Sequence, residues 1–227
     1  MTNLILTTDT LHHKFFIKSI SSLSKIFVIF ETKKSNFKYK TKHHYKKKEF
    51  IFEKNFFFND KIPTIKAKKF KDLNHKRSIN FIKKKKFNNI FCFGIGKLNS
   101  NFLKSFKNKR ILNFHGGNPL FYRGLDSILW SIYNNDFKNL YTCLHYVQER
   151  LDTGNIVFKK KIILKKKTQI HEIRAINTIN TIKLYKKFLK LKKIKSKKQK
   201  RLGKYYSAFP SSKINKCIKN IDNYGTK

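Results

Sequence analysis

The sequence predicts an α/β domain with a mostly parallel, twisted sheet and helices on both faces. Three observations carry this. Short runs of β-branched and aromatic residues recur, NLILT at 3–7, KIFVIFE at 25–31, NIFCFG at 89–94 and RILNFH at 110–115. The first two are joined by a helical pattern within about thirty residues, the signature of a strand–helix–strand unit with a parallel sheet. Hydrophobic residues make up 40% of the 227, enough for a real core and too many for a disordered polycation.

Each element follows in order. After the strand at 3–7, Thr8, Asp9 and Thr10 offer N-cap side chains for a helix from about 11 to 23, with Phe15, Phe16, Ile20 and Leu23 near helical spacing. The strand at 25–31 is followed by residues 33 to about 75, rich in Lys and Phe without clean periodicity, which read as irregular. Order returns with the strand at 89–94, a short helix at 100–106 and the strand at 110–115. A turn, GGNP, leads to a helix at 127–133 carrying Ile128, Leu129, Trp130 and Ile132. Residues 140–147 and 156–164 are strand-like, 168–191 helical, and 211–221 a final helix. No internal repeat is visible. Residues 1–165 form the expected α/β domain and 166–227 a helical, basic C-terminal extension.

The chain carries 54 Lys+Arg against 12 Asp+Glu, a formal charge of +42. Dense Lys suits nucleic-acid phosphates. However, Lys, Asn, Ile, Phe and Tyr share A/T-rich codons, while the scarce Gly, Pro and Trp need G or C. The basic runs are also spread along the chain rather than gathered in an arm. Codon bias explains the profile better, and nucleic-acid binding stays open. The three cysteines, Cys92, Cys143 and Cys217, form no CxxC pair, which leaves no support for a zinc site or a disulfide framework. No apolar stretch reaches membrane-spanning length, and residues 1–16 lack a signal-type core. A soluble, cytoplasmic protein without a membrane partner is the expectation.

Glycine distribution points to the chemistry. No Gly precedes Gly94, yet Gly94, Gly96, Gly116, Gly117, Gly124 and Gly154 fall within about sixty residues. This window also holds the single Trp, Asn113-Phe114-His115, Tyr122-Arg123-Gly124 and Leu151-Asp152-Thr153-Gly154. Alone, Asn-x-His on a strand reads as packing and Asp-Thr-Gly as a turn. Together, and spaced as they are, they resemble the catalytic domain of the folate-dependent formyltransferases. That family includes glycinamide ribonucleotide, methionyl-tRNA and sugar N-formyltransferases. The resemblance is specific over about 89–165.

The resemblance implies a Rossmann-like fold and formyl transfer from 10-formyltetrahydrofolate, as cosubstrate, to a small-molecule amine. Asn113, His115 and Asp152 are then the catalytic residues. Acyl transfer through a tetrahedral intermediate needs donors for an oxyanion, which the Asn113 amide and a protonated His115 would supply. Asp152 would raise the His115 pKa and relay a proton. Counting back from Asn113, the resemblance places the folate-binding segment at Gly96, Lys97, Leu98 and Asn99, with Asn113 completing it. His145 in LHYV stays open between a supporting and a packing role. His12, His13, His43, His44 and His75 lie in basic surroundings and read as solvated, and His171 as a helix decoration.

Two departures touch the acceptor side. The loop after His115 reads Gly116-Gly117-Asn118-Pro119-Leu120, with Pro one place early, and Tyr141 stands where many members have Gly. The first βα turn, residues 7–11, has no Gly to cradle a phosphate, unlike glycinamide ribonucleotide enzymes. The tail is too short for the second domain of methionyl-tRNA enzymes. The stretches TLHHKFFIKSI, YRGLDSILWSIYNND and LGKYYSAFP resemble short sugar formyltransferases, so a nucleotide-linked amino sugar is the expected acceptor. Tyr205, Tyr206 and Phe209 are candidates for lining its pocket. A basic RNA-binding protein retaining the fold is the alternative outside enzymes.

Overall fold

The structure, a computed structural model, describes residues 2–32 and 44–225. In chain order it comprises β1 (Thr2–Thr7), α1 (Leu11–Ser21), β2 (Lys25–Glu31), α2 (His44–Phe58), β3 (Lys68–Phe70), α3 (Lys76–Lys83), β4 (Asn89–Phe93), α4 (Ser100–Ser105) and β5 (Arg110–Gly116). These are followed by β6 (Tyr122–Gly124), α5 (Ser127–Tyr133), β7 (Tyr141–Tyr146), β8 (Ile156–Lys161), α6 (Ile173–Leu189), β9 (Lys204–Tyr206) and α7 (Ile214–Gly225).

Seven strands form one sheet in the order β3-β2-β1-β4-β5-β7-β8, and β6 pairs with β9 apart from it. All contacts from β3 to β5 are parallel, while β7 is antiparallel to both β5 and β8. The expected mostly parallel, Rossmann-like α/β sheet is therefore present. Its strands are apolar on both faces because both are covered. Ile5, Phe91, Phe93, Leu112 and Phe114 pack with α1 and α6 on one side. Leu4, Leu6, Ile90, Cys92 and Ile111, their period-2 neighbours, pack with α3 and α4 on the other. Fully burying a side chain of this size is worth roughly 1.5–3 kcal/mol.

Chain order reverses between β1 and β4, where β1 leads outward to β2 and β3 and β4 leads to β5. Such a switch leaves a crevice at the strands' carboxyl ends. Thr7 Oγ1 donates to Phe93 O across it at 2.7 Å, tying the two strand ends together. α6, from the region read as an extension, packs into the main core. Its Tyr185 is fully buried and accepts a bond from Asn3 Nδ2 at 2.9 Å.

Several expectations are corrected. Residues 44–58 and 68–70 are helix and strand, not irregular; residues 33–43 lie outside the described residues. The helix was hidden because apolar side chains surround it. Phe57 faces inward and stacks on Phe15 at 4.2 Å, Phe50, Ile51 and Phe56 face solvent, and Glu49 and Glu53 are buried. Thr10 does occupy the N-cap of α1 but makes no capping bond; its hydroxyl meets His13 Nδ1 at 2.9 Å instead. His12 and His13 are buried, not solvated. His43 lies outside the described residues, and His75 caps α3 by accepting from the Arg77 N–H at 3.2 Å. His171 packs edge-on against Phe52. No described helix is long and apolar enough to cross a membrane.

Candidate functional site

Asn113 and His115 share one face of β5 by strand alternation, at its carboxyl end. Asp152 lies on the loop between β7 and β8, with its backbone in the left-handed region at φ 56°. Asp tolerates that conformation better than most residues. The loop brings the Asp152 carboxylate between two rings. His115 Nδ1 lies 3.6 Å from Oδ2 and His145 Nε2 3.3 Å from Oδ1. Each histidine turns its other nitrogen to a backbone carbonyl, His115 Nε2 to Tyr122 O at 3.1 Å and His145 Nδ1 to Tyr146 O at 2.8 Å. Both rings therefore direct their remaining nitrogen at Asp152. Asn113 Nδ2 lies 3.4 Å from His145 Nε2, which joins the fourth side chain to the cluster.

A backbone donor completes it. The Gly124 N–H donates to Asp152 Oδ2 at 2.8 Å. Gly124 has φ 93°, and a Cβ there would collide with the Tyr206 carbonyl oxygen, so the approach requires glycine. Arg123, buried beside it, donates through Nε to Gly203 O at 2.7 Å and through Nη1 to Leu151 O at 3.2 Å. Tyr122-Arg123-Gly124 is thus a short strand that fastens the Asp152 loop through the Gly124 N–H and Arg123 Nη1.

Burial pushes the Asp152 carboxyl up, but His115, His145 and the Gly124 N–H outweigh it and hold it well below the usual range. Asp152 is a carboxylate. Burial also pulls His115 down, against the pull of Asp152, and burial prevails. A raised His115 pKa was expected. The shift runs downward instead because burial strips away most of the imidazole's water while its partner carboxylate stands at 3.6 Å, beyond hydrogen-bond reach.

Two cavities meet at this cluster. The larger, about 300 Å³, lies between β5, α1, α2, α5 and α6, and is lined by His12, His13, Tyr45, Glu49, Asp126 and Arg174 together with Asn113, His115 and Asp152. The smaller, about 50 Å³, is lined by Gly96, Lys97, Leu98, His145, Gln148 and again Asn113 and Asp152. Gly96, Lys97 and Leu98 thus lie beside Asn113 as expected. Asn99 does not line this cavity; its side chain caps α4 by accepting from the Phe102 N–H at 2.9 Å. The segment is held by its own bonds. The Gly96 N–H donates to Glu31 at 2.6 Å, and the Asn74 side chain bridges Lys97 O and the Asn99 N–H.

The larger cleft has an inner wall of paired charges. Arg174 donates to Glu53 through Nε and Nη2 at 2.6 and 2.8 Å and meets Glu49 at 2.8 Å; Lys46 meets Glu49 at 3.1 Å. Burial pulls Arg174 down, but the two carboxylates outweigh it and hold it charged. His12 and His13 are pulled well below their ordinary value by burial, with Arg174 adding to it in both, so both are neutral. Trp130 stacks on Tyr206 at 4.9 Å and meets Phe209 edge-on. Of the aromatics expected near an acceptor, Tyr206 and Phe209 pack on α5, and Tyr205 is half exposed.

Sequence reasoning missed His12, His13, Arg174 and the Gly124 N–H. The histidines were masked by neighbouring lysines. Arg174 and its glutamates are 121 and 125 positions apart. Only the TDTLHH stretch, with two hydroxyls beside two histidines, held a local signal.

The crevice at the carboxyl ends of the parallel strands thus holds an Asn, a His and, from the β7–β8 loop, an Asp at one point. The family profile described as formyl transferase matches residues 18–184, well over half of the chain, and the chain belongs to that family. Comparison with curated proteins gives no match. Among solved structures, a sugar N-formyltransferase from a Shewanella species is similar in fold, with 12% identity over 97% of this chain and 87% of that one at a TM-score of 0.63. A formyltransferase from Anoxybacillus kamchatkensis, solved with UDP-4,6-dideoxy-4-formamido-L-AltNAc and tetrahydrofolate, shows 16% identity over 91% and 86% at 0.54. Methionyl-tRNA formyltransferase from Clostridium thermocellum shows 16% identity over 96% and 82% at 0.57.

Proposed function

We propose that this chain transfers a formyl group from 10-formyltetrahydrofolate to the amine of a nucleotide-linked amino sugar. The observation that carries it is the convergence of Asn113, His115 and Asp152 where the two cavities meet. The donor then enters from the smaller cavity, its pterin edge against the backbone of Gly96, Lys97 and Leu98. That cavity is narrow, so the glutamate-bearing end of the donor stays outside. The acceptor occupies the larger cleft.

The amine nitrogen attacks the formyl carbon, and the carbonyl oxygen becomes an oxyanion. The Asn113 amide donates to it. The attacking amine must lose a proton, and neutral His115 accepts it; Asp152, already a carboxylate, stabilises the imidazolium formed. Collapse breaks the bond from carbon to the folate nitrogen, which takes up the proton and leaves as tetrahydrofolate. No covalent enzyme intermediate is needed.

The larger cleft supports an uncharged acceptor ring. Its two cations, Lys46 and Arg174, are balanced by Glu49 and Glu53, and burial holds its three histidines, His12, His13 and His115, below their ordinary value. At the first βα turn Asp9 is paired with Lys14 and Lys69. A phosphate would displace these pairs, whereas sugar hydroxyls could share them. The Anoxybacillus relative was solved with a nucleotide-linked sugar and tetrahydrofolate, which agrees with this assignment. The formal charge of +42 favours tRNA as the second reading. A panel of nucleotide-linked amino sugars, glycinamide ribonucleotide and methionyl-tRNA, each supplied with 10-formyltetrahydrofolate and followed by tetrahydrofolate release, separates them. At least one sugar should turn over fastest. Faster turnover of either other acceptor than of every sugar rules out the sugar assignment.

A further inference from the structure

The turn that carries Asp152 is held from outside. Its left-handed backbone at φ 56° is not one that the local sequence enforces. Arg123 reaches Leu151 O, and one further side chain reaches two more carbonyls of the turn. Gln199 Nε2 donates to Asp152 O at 2.9 Å and to Gly154 O at 2.8 Å. Gln199 is only 9% exposed, and its Oε1 is buried without a hydrogen-bond partner.

This one-sided bonding fixes the amide's orientation. Swapped, its oxygen would face two carbonyl oxygens. A protein that needed only a space-filler here would gain by an apolar side chain, because the orphaned Oε1 would vanish. The two N–H donors are what the site uses. Gln199 is itself anchored by the chain on both sides. Lys197 exchanges two backbone bonds with Ile156, both at 2.8 Å, and the Gly203 N–H donates to Pro119 O at 3.0 Å. The segment between α6 and β9 is therefore clipped to the start of β8 and to the loop after β5, with the Gln199 amide aimed between them.

We propose that Gln199 is a positioning residue for Asp152: it sets the 151–154 turn so that the carboxylate lies between His115, His145 and the Gly124 N–H. The proposal rests on the assignment of Asp152 to formyl transfer. Misplacing a reacting group by about 1 Å can cost about 100-fold in rate.

The test uses the full chain with Gln199→Met, which keeps the volume without donors, and Gln199→Glu, which keeps the shape. In the formyl-transfer assay kcat should fall by about 10–100-fold in the Met variant while KM for 10-formyltetrahydrofolate stays within about twofold. In an Asp152→Asn background the same change should add little further loss, because the two act through one group. A second readout needs no acceptor: hydrogen exchange at the Gly124 N–H should accelerate in both variants while amides of β1 and β4 keep their protection. Unchanged Gly124 exchange, or full kcat in the folded Met variant, overturns the proposal. So does an equal loss in both backgrounds, or failure of both variants to fold, since Gln199 would then serve the fold at large. If Asp152→Asn itself keeps full turnover, the catalytic assignment fails instead, and Gly124 exchange still reports on Gln199.

Discussion

The two cavities share Asn113 and Asp152, yet they are made from different kinds of chain. The smaller is built from one strand end and the loop beyond it, residues 95–98, facing the 147–152 loop. Its walls are neighbours in sequence or across the β4–β5 and β5–β7 pairings, and they carry no pairing of a Lys or Arg with a carboxylate among the described residues. The larger draws side chains from α1, α2, α5 and α6, more than 100 residues apart, and its wall is a buried set of ion pairs. The difference teaches where tolerance should lie. A surface that recognises through backbone depends little on side-chain identity, whereas one made of buried charges depends on every member.

The largest effect should come from breaking the charged wall. Arg174→Ala leaves Glu49 and Glu53, 2% and 0% exposed, without their main partner. Unfolding free energy should drop by about 3 kcal/mol, the low end for a buried pair because the Arg174 side chain is 34% exposed. Urea titration of both proteins checks this, and a loss under about 1 kcal/mol would mean the wall is solvated in practice.

Next comes acid sensitivity. His12, His13 and His115 are held neutral in the folded chain, so below about pH 6.5 the unfolded chain binds more protons than the folded one. Stability is full above that pH and falls as pH drops, by up to about 1.4 kcal/mol per pH unit for each histidine. Asp152 plays no part in this window, since its contribution is lost only below the ordinary carboxylate range. Urea midpoints at pH 7.5, 6.5 and 5.5 should decline on the acid side, and less steeply in His13→Asn.

A smaller shift concerns rate. Asp152 opposes the burial that lowers His115, so Asp152→Asn should lower the His115 pKa further. The acid limb of the residual kcat/KM profile should then move to lower pH. Movement to higher pH would assign the titrating proton to another group. The smallest effect is expected at the smaller cavity. Lys97→Ala should change the Kd for 5-formyltetrahydrofolate by less than about threefold, or ~0.6 kcal/mol. A tenfold loss in calorimetric titration would place the side chain in contact with the ligand.

The same contrast explains what could be read from sequence. The six long strands were legible because each is a short apolar run, and Asn113, His115 and Asp152 because they sit in compact motifs. β6 and β9 were not, since three-residue strands carry no periodic signal. α2 escaped because its apolar residues surround the helix while its buried face carries Glu49 and Glu53. Gln199 stands as a lone amide in KSKKQKRLGK and has no local mark at all. Its role exists only through a carbonyl 47 residues away. His115 stands at a strand end, but the burial that lowers its pKa is not something spacing along a strand reveals.

The central claim is that the carboxylate between two histidines serves the chemistry and not donor binding. It is tested most directly by Asp152→Asn, measured in parallel for acceptor-dependent tetrahydrofolate release and for 5-formyltetrahydrofolate binding. Turnover should fall at least ~100-fold while the Kd for the folate stays within about threefold, the pattern of a group used in the transition state. Unchanged turnover, or a loss of folate binding that accounts for the whole decline, would contradict it.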